Sequence, residues 1–466
     1  LWRKFDVATS FSIENFGCRA TFADAAAIEG GLREVGFSRA TDHGHADLVI
    51  LNTCTVTAAA DAQARDAIRH IRAANPSARV LVTGCYAQRA PEVLAGLAGV
   101  EWVVGNSHQS EIPAVLRAAV AAGPPAGAPR GNGGFVSLQM LVAKGLPPAT
   151  ATAFSPLAGP AGAARIITGD IFAQEEVLVA PVDRGAGDRT RPTLKIQDGC
   201  NNRCSYCVIP YVRGKSRSLA PDRVVIEIGK LVEAGAKEVV LSGINLGSYG
   251  RDLTPRVALL AVVRRVLNET RIDRLRFSSI EPMDVTRDFV EFVAAEPRLA
   301  PHFHVPLQSG SDRVLRAMHR WYRAGHYESR IEVIRECLPD AGIGADIIAG
   351  YPGESEEDFR ATEELIARLP FTYLHVFSFS ARPGTAAASL EGQVPAAVVR
   401  ARARRLREIA AHKSVEFRRS QAGRTLRALT LRPKKGGPGE ALTGNFLKVR
   451  TFEAHPANTW VDVRIS

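Results

Sequence analysis

No apolar run in the 466-residue chain reaches the ~18 residues that a membrane-spanning helix requires. The opening residues, Leu1-Trp2-Arg3-Lys4-Phe5-Asp6, lack the apolar core of a secretion signal, so a cytoplasmic protein without a membrane partner is the default expectation. An initiator Met is lacking too, which a truncated sequence or a non-AUG start would explain. Cysteine is scarce: seven in a large cytosolic chain, which argues against a disulfide framework. Acidic residues are nearly missing between Arg400 and Lys435, where thirteen Lys or Arg face only Glu408 and Glu416. That local excess equals the +11 of the whole chain, so the remainder balances. Concentrated positive charge points to a polyanion, nucleic acid first; the plainer reading is a solvated helix face with a flexible loop.

What is present reads as globular: 46% hydrophobic and 23% charged, long enough for two to four domains. The fold class is α/β. Residues 1–120 alternate strands (Phe11–Ile13, Asp47–Leu51, Arg79–Thr83) with helices (Ala23–Val35, Ala58–Ala74), which implies a parallel sheet. Residues 121–190 are rich in Gly, Ala and Pro and read as a linker with an insertion. Residues 191–417 hold six candidate strands, Leu194–Gln197, Glu238–Ser242, Leu275–Ser279, His302–Leu307, Ala345–Ala349 and Tyr373–Ser378, and close on a basic helix. Six βα units predict an incomplete (β/α)6 barrel. Residues 418–466 alternate and predict a small β module.

Six cysteines fall into two groups of three, and Cys337 is left over in a predicted helix, where a small buried hydrophobe is expected. The second group is compact, Cys200-x-x-x-Cys204-x-x-Cys207, directly after a predicted strand. Thiolates are soft ligands suited to iron–sulfur clusters. Three ligands on a four-iron cubane leave one iron open to a small molecule. Structural zinc fits less well, since it takes four ligands and no Cys or His follows promptly after Cys207. The spacing resembles that of the radical-SAM superfamily, where the open iron chelates S-adenosylmethionine. The first group, Cys18, Cys54 and Cys85, has members 36 and 31 residues apart, so no local motif links them. Each follows a predicted strand, and strand ends of an open parallel sheet share one ligand-binding edge. Three buried strand-end cysteines are the alternative, since Cys is often buried.

Together these residues resemble the methylthiotransferases of the radical-SAM superfamily. The resemblance covers nearly the whole chain outside 121–180. It rests on Asn52-Thr53-Cys54-Thr55-Val56-Thr57, Thr83-Gly84-Cys85-Tyr86-Ala87-Gln88, Lys195 to Pro210, Pro306-Leu307-Gln308-Ser309-Gly310-Ser311 and Gly350-Tyr351-Pro352-Gly353-Glu354. It implies an N-terminal methylthiotransferase domain with an auxiliary cluster on Cys18, Cys54 and Cys85. A radical-SAM barrel with a cluster on Cys200, Cys204 and Cys207 follows, then a short C-terminal RNA-binding module of the TRAM type, whose signature Thr443 to Val449 resembles. The stretches Ser242 to Gly250, Ser278 to Pro282, Pro301 to Pro306 and Leu374 to Ser378 look like the branch that modifies N6-threonylcarbamoyladenosine beside the tRNA anticodon. The alternatives are the isopentenyladenosine branch, the branch acting on a ribosomal-protein aspartate, and a non-catalytic RNA-binding iron–sulfur protein. The chain departs from the family pattern after Cys18, where Arg19, Ala20 and Thr21 stand in place of the usual Lys and Asn.

The resemblance implies two 4Fe-4S clusters and two uses of S-adenosylmethionine. One methylates a sulfur on the auxiliary cluster; the other is cleaved to a radical that activates adenine C2–H. No side chain is expected as a catalytic acid or base, because that proton lies far outside the range of side-chain pKa matching. The cofactors carry the chemistry and the protein orients them. Tyr206, Gly243, Asn245, Glu281, Gln308 and Gly350, near strand ends, are the candidate S-adenosylmethionine contacts. Tyr206 reads equally as a packing aromatic, and His302 and His304 as packed residues. Arg213, Lys215 and Arg217 are expected to steer a tRNA loop inward, with phosphate contacts from the basic helix and β module. The implied partners are a tRNA substrate, an electron donor such as a flavodoxin or ferredoxin, and a sulfur donor.

Overall fold

The computed structural model describes residues 9–121, 164–179, 190–433, 437–453 and 455–466. They form two compact units, Leu1–Ala186 with Ile209–Lys215, and Gly187–Val208 with Ser216–Ser466. Among the described residues no helix is long and apolar enough to cross a membrane.

The first unit is a parallel sheet of six strands: β1 (Ser10–Asn15), β2 (Ser38–Arg39), β3 (Leu48–Thr53), β4 (Arg79–Gly84), β5 (Val100–Gly105) and β6 (Arg165–Ile167). Their order is β2-β1-β3-β4-β5-β6. Every residue of β3 is buried, as a central strand covered on both faces requires. Alternate residues feed two cores. Val49 and Leu51 join Ile68, Ile71 and Val103, whereas Leu48 and Ile50 join Phe11, Ile28 and Trp102. The helix Ala58–Ala74 starts at Thr57, whose hydroxyl accepts from the Ala60 amide, and stops before Asn75-Pro76. The stretch 121–190, read as linker and insertion, supplies the edge strand β6, which pairs with β5 through Trp102 and Arg165. Most of its other residues lie outside the described ones.

The second unit holds β7 (Thr193–Lys195), β8 (Gln197–Asp198), β9 (Arg217–Ser218), β10 (Glu238–Ser242), β11 (Arg274–Phe277), β12 (His302–His304), β13 (Gly342–Ala349) and β14 (Tyr373–Ser378). The triplets β7-β10-β11 and β12-β13-β14 are parallel, and a parallel bridge between Ser279 and His304 joins them. This is the six-stranded incomplete barrel the sequence predicts. The antiparallel pair β8–β9 braces the base of the cysteine loop.

An antiparallel sheet of β15 (Thr425–Thr430), β16 (Gly439–Thr443), β17 (Lys448–Thr451) and β18 (Trp460–Arg464) completes this unit. Arg274 and Arg276 attach it: both pair with the fully buried Glu238 and donate to the Leu442, Thr443 and Gly444 carbonyls. The basic helix Ala396–Ser420 buries Val399, Ala403 and Leu406. Gly350, with φ +80°, lets that helix close in, because a Cβ there would stand 2.4 Å from Val399 Cγ2.

Candidate cofactor and metal centres

In the first unit the three cysteines follow three adjacent strands. Register pairs Asn15 with Asn52, and Thr53 with Gly84, so β1, β3 and β4 end level. Cys18 is exposed at the N-cap of Arg19–Glu34 and its side chain makes no cap bond, while Cys54 and Cys85 are buried. Gly17 takes φ +116°, and a Cβ there would lie 2.5 Å from Cys54 Cβ and 3.0 Å from its sulfur. Glycine at 17 therefore keeps room beside the Cys54 thiol. Asn106 Nδ2 lies 3.5 Å from the Cys85 sulfur. Burial, helped by the neighbouring Cys85 and Cys18, pushes the Cys54 thiol up to about 12. Burial also raises Cys85, against the opposing pull of Arg213. Thiols so placed stay protonated until a metal displaces the protons, a donor set that fits a cluster held by three thiolates.

Arg213 is buried here, paired with the buried Asp24 at 2.7 Å. In the second unit Arg217 is buried beside Asp198 at 3.5 Å. This corrects the expectation that both steer RNA. Their charges are neutralised inside the protein, and of the three only Lys215 is exposed.

The second cysteine group lies on a loop that begins beyond β8. Gln197 holds the loop by donating to the Asp198 and Gly199 carbonyls and to Ser216. Its Oε1 accepts from the Asn245 amide at 2.8 Å. Ser205 anchors the other end, donating to the Ala317 carbonyl and bonding the Tyr351 hydroxyl at 2.7 Å. Burial pushes the Cys200 thiol up to about 11, opposed by hydrogen bonds from the Asn202 amide and the Asn245 side chain. Arg320 Nη1 donates to the Cys204 sulfur at 3.3 Å, and Nη2 pairs with Glu281.

The residues proposed as S-adenosylmethionine contacts occupy different settings. Asn245 is buried beside Cys200, and its Oδ1 has no hydrogen-bond partner among the described residues, an acceptor that fits an ammonium donor. Gly243 has no space for a side chain, since a Cβ would meet Gln197 Oε1 at 2.8 Å. Glu281 is held by Arg320. Gln308 sits at φ +69°, a strained position for a residue with a side chain, bridged in parallel to Ile347. Tyr206 packs against Val314, Met318, Tyr351 and Ala387. The Gly350 amide donates to the Glu354 carboxylate at 2.8 Å.

Sequence reasoning missed Arg320, Asp346 and His375. His304 Nε2 and His375 Nδ1 each lie 3.1 Å from Asp346 Oδ1, and Ser279 Oγ lies 2.6 Å from His304 Nδ1. His302 stacks on Phe446 with centroids 4.3 Å apart. The period-2 placement of His302 and His304 was visible; their partners on other strands were not.

A six-stranded parallel arc with a three-cysteine loop at one strand end defines a radical-SAM enzyme. Residues 194–366 match the family described as Radical SAM superfamily, and residues 10–105 match Uncharacterized protein family UPF0004. The fold is similar to that of the radical S-adenosylmethionine methyltransferase TsrM from Kitasatospora setae. The TM-score is 0.52 at 17% identity, covering 82% of this chain and 75% of that one. The chain belongs to the radical-SAM tRNA methylthiotransferases. It is 33% identical to threonylcarbamoyladenosine tRNA methylthiotransferase MtaB of Aquifex aeolicus, over 94% of this chain and 96% of the relative. It is also 33% identical to the tRNA-2-methylthio-N(6)-dimethylallyladenosine synthase of Mycobacterium sp. (strain MCS), over 91% of this chain and 77% of that relative. The enzyme transfers a sulfur-containing group, and 4Fe-4S clusters and S-adenosylmethionine are its cofactors.

Proposed function

We propose that this enzyme is a tRNA N6-threonylcarbamoyladenosine C2-methylthiotransferase, with an auxiliary 4Fe-4S cluster on Cys18, Cys54 and Cys85 and a radical-generating one on Cys200, Cys204 and Cys207. The observation that carries the chemistry is the presence of two three-cysteine groups at strand ends, one in each compact unit. The branch rests on similarity to the Aquifex aeolicus relative over nearly its whole length and on the four stretches named above.

When bound, the clusters and S-adenosylmethionine supply a radical able to take hydrogen from an unactivated carbon. The chain holds and orients them. Gln197 fixes the cysteine loop and the Gly243–Asn245 turn together. Asn245 Oδ1 offers an acceptor to the amino group of S-adenosylmethionine. Arg320 places positive charge at Cys204. Electrons come from a small donor such as a flavodoxin or ferredoxin, and sulfur from a separate donor.

The test uses anaerobically reconstituted protein, S-adenosylmethionine, a reductant and anticodon stem-loop RNA carrying threonylcarbamoyladenosine. The expected product is its 2-methylthio derivative by mass spectrometry. Product from isopentenyladenosine RNA alone would move the enzyme to the other tRNA branch, and no product from either would remove the assignment. About eight irons are expected per chain, falling to about four when Cys18, Cys54 and Cys85 are all replaced by Ala.

A further inference from the structure

Strands β12, β13 and β14 carry a line of polar and aromatic side chains on one face. Along β13, Ile343, Ala345 and Ile347 are fully buried, while the alternate residue Asp346 is partly open. On that second face Gly344 has no side chain, and the Tyr373 ring lies across it, so that a Cβ would meet Tyr373 Cζ at 2.0 Å. Phe446, His302, Tyr373, His304 and His375 then follow in ring contact, with centroids 4.3 to 5.9 Å apart. The line opens towards solvent. His304 is 10% exposed, Asp346 23% and His375 55%. Ser279 fixes His304 through Nδ1. Ser279, two residues before Glu281, also pairs with His304 in a parallel bridge, and Glu281 is tied through Arg320 to Cys204.

We propose that His375, supported by Asp346 and His304, receives the N6 substituent of the target adenosine and selects a polar, hydrogen-bonding acyl group over an apolar prenyl group. The inference rests on the substrate reading given under Proposed function. An apolar group laid here would strip water from a carboxylate and two imidazoles and return no hydrogen bond, which is unfavourable. A threonylcarbamoyl group brings N–H and O–H donors and a carboxylate. Both imidazoles engage one oxygen of Asp346, Oδ1, which leaves the outward edge of His375 to meet the ligand. In this arrangement His375 touches the substrate, and Asp346 and His304 are positioning residues.

The test compares wild type with His375→Phe and His375→Asn, each reconstituted to the same iron content and with the same melting temperature. Two anticodon stem-loop RNAs compete, one bearing threonylcarbamoyladenosine and the other isopentenyladenosine. His375→Phe should lower kcat/KM for the threonylcarbamoyl RNA by about 30-fold or more, chiefly through KM, and leave the isopentenyl RNA no worse a substrate than before. His375→Asn should keep most of the preference. An unshifted ratio, or equal loss on both RNAs, overturns the inference while wild-type activity on the threonylcarbamoyl RNA leaves the function standing. Wild-type activity on the isopentenyl RNA alone overturns both. The His304, Asp346 and His375 ligand atoms lie within 4.8 Å of one another, so metal analysis completes the test. A stoichiometric divalent ion present in wild type and lost in His375→Phe would make this a metal site and overturn substrate selection.

Discussion

Arg320 reaches the Cys204 sulfur with one guanidinium nitrogen, 3.3 Å away, and holds Glu281 with the other. The arginine is 7% exposed, and its charge is shared between a carboxylate and the Cys204 sulfur. An N–H donor and a positive charge at a ligating sulfur favour the reduced, more negative state of an iron–sulfur cluster.

Arg320→Gln should therefore lower the midpoint potential of the barrel cluster. The expected shift is on the order of 60 mV, equivalent to about 1.4 kcal/mol for one electron. A redox titration followed by electron paramagnetic resonance reads this directly. An unchanged potential would mean that Arg320 serves only to neutralise Glu281.

Arg213 and Asp24 form a pair whose side chains are 1% and 0% exposed. Removing one partner leaves a buried charge alone, so Arg213→Met should cost about 3–5 kcal/mol. The double variant Arg213→Met with Asp24→Leu should recover most of that loss in thermal unfolding. Arg213 also opposes the upward shift of Cys54 and Cys85. The single variant should accordingly need higher pH to take up iron at the first cysteine group, and uptake at the wild-type pH would argue against that electrostatic link.

Glu238 joins the barrel to the C-terminal sheet through Arg274 and Arg276. Burial alone would raise its carboxyl, but the guanidinium groups of Arg276, Arg274 and Arg191 prevail and hold it at about 2, against an ordinary value of 4.5. A carboxyl depressed by folding stabilises the protein above its unfolded pKa. That stability drains away as pH falls from about 4.5 towards 2. The amount is on the order of 3 kcal/mol. Urea unfolding between pH 6 and pH 3 should show about 2 kcal/mol of this loss, and Glu238→Gln should remove most of the slope. An equally steep slope in the variant would place the acid sensitivity elsewhere.

The parallel strands were legible because β3 and β4 read as apolar runs bounded by cysteines, which also put Cys54 and Cys85 at strand ends. The edge strand β6, three residues within Gly- and Ala-rich sequence, was too short to show a period. Arg320 and Cys204 are 116 residues apart, and no spacing in the chain relates them. Arg213 and Arg217 were misread because a cation near a functional loop looks like surface until its acidic partner is known. Asp24 lies 189 residues from Arg213.

The same correction applies to the basic segment. Arg402 is buried against Glu354, Arg405 pairs with Glu363, and Lys413 donates to the Ala367 and Leu369 carbonyls at the end of the helix Glu356–Arg368. These charges hold the helix Ala396–Ser420 to the barrel. Arg400, Arg404, Arg418 and Arg419 are exposed and form no ion pair among the described residues, so they are the cations available to phosphates. Replacing all four with Ala should weaken tRNA binding and leave the melting temperature within a few degrees of wild type. Each lost phosphate contact lowers the slope of log affinity against log salt by about 0.7–0.9, so the four together should flatten it by about 3. Arg405→Ala, which breaks an existing ion pair, should change the slope by less than about 0.5. Filter binding across a salt series measures both variants. A slope in the fourfold variant equal to wild type would show that this helix carries solvated charge and that the phosphates are held elsewhere.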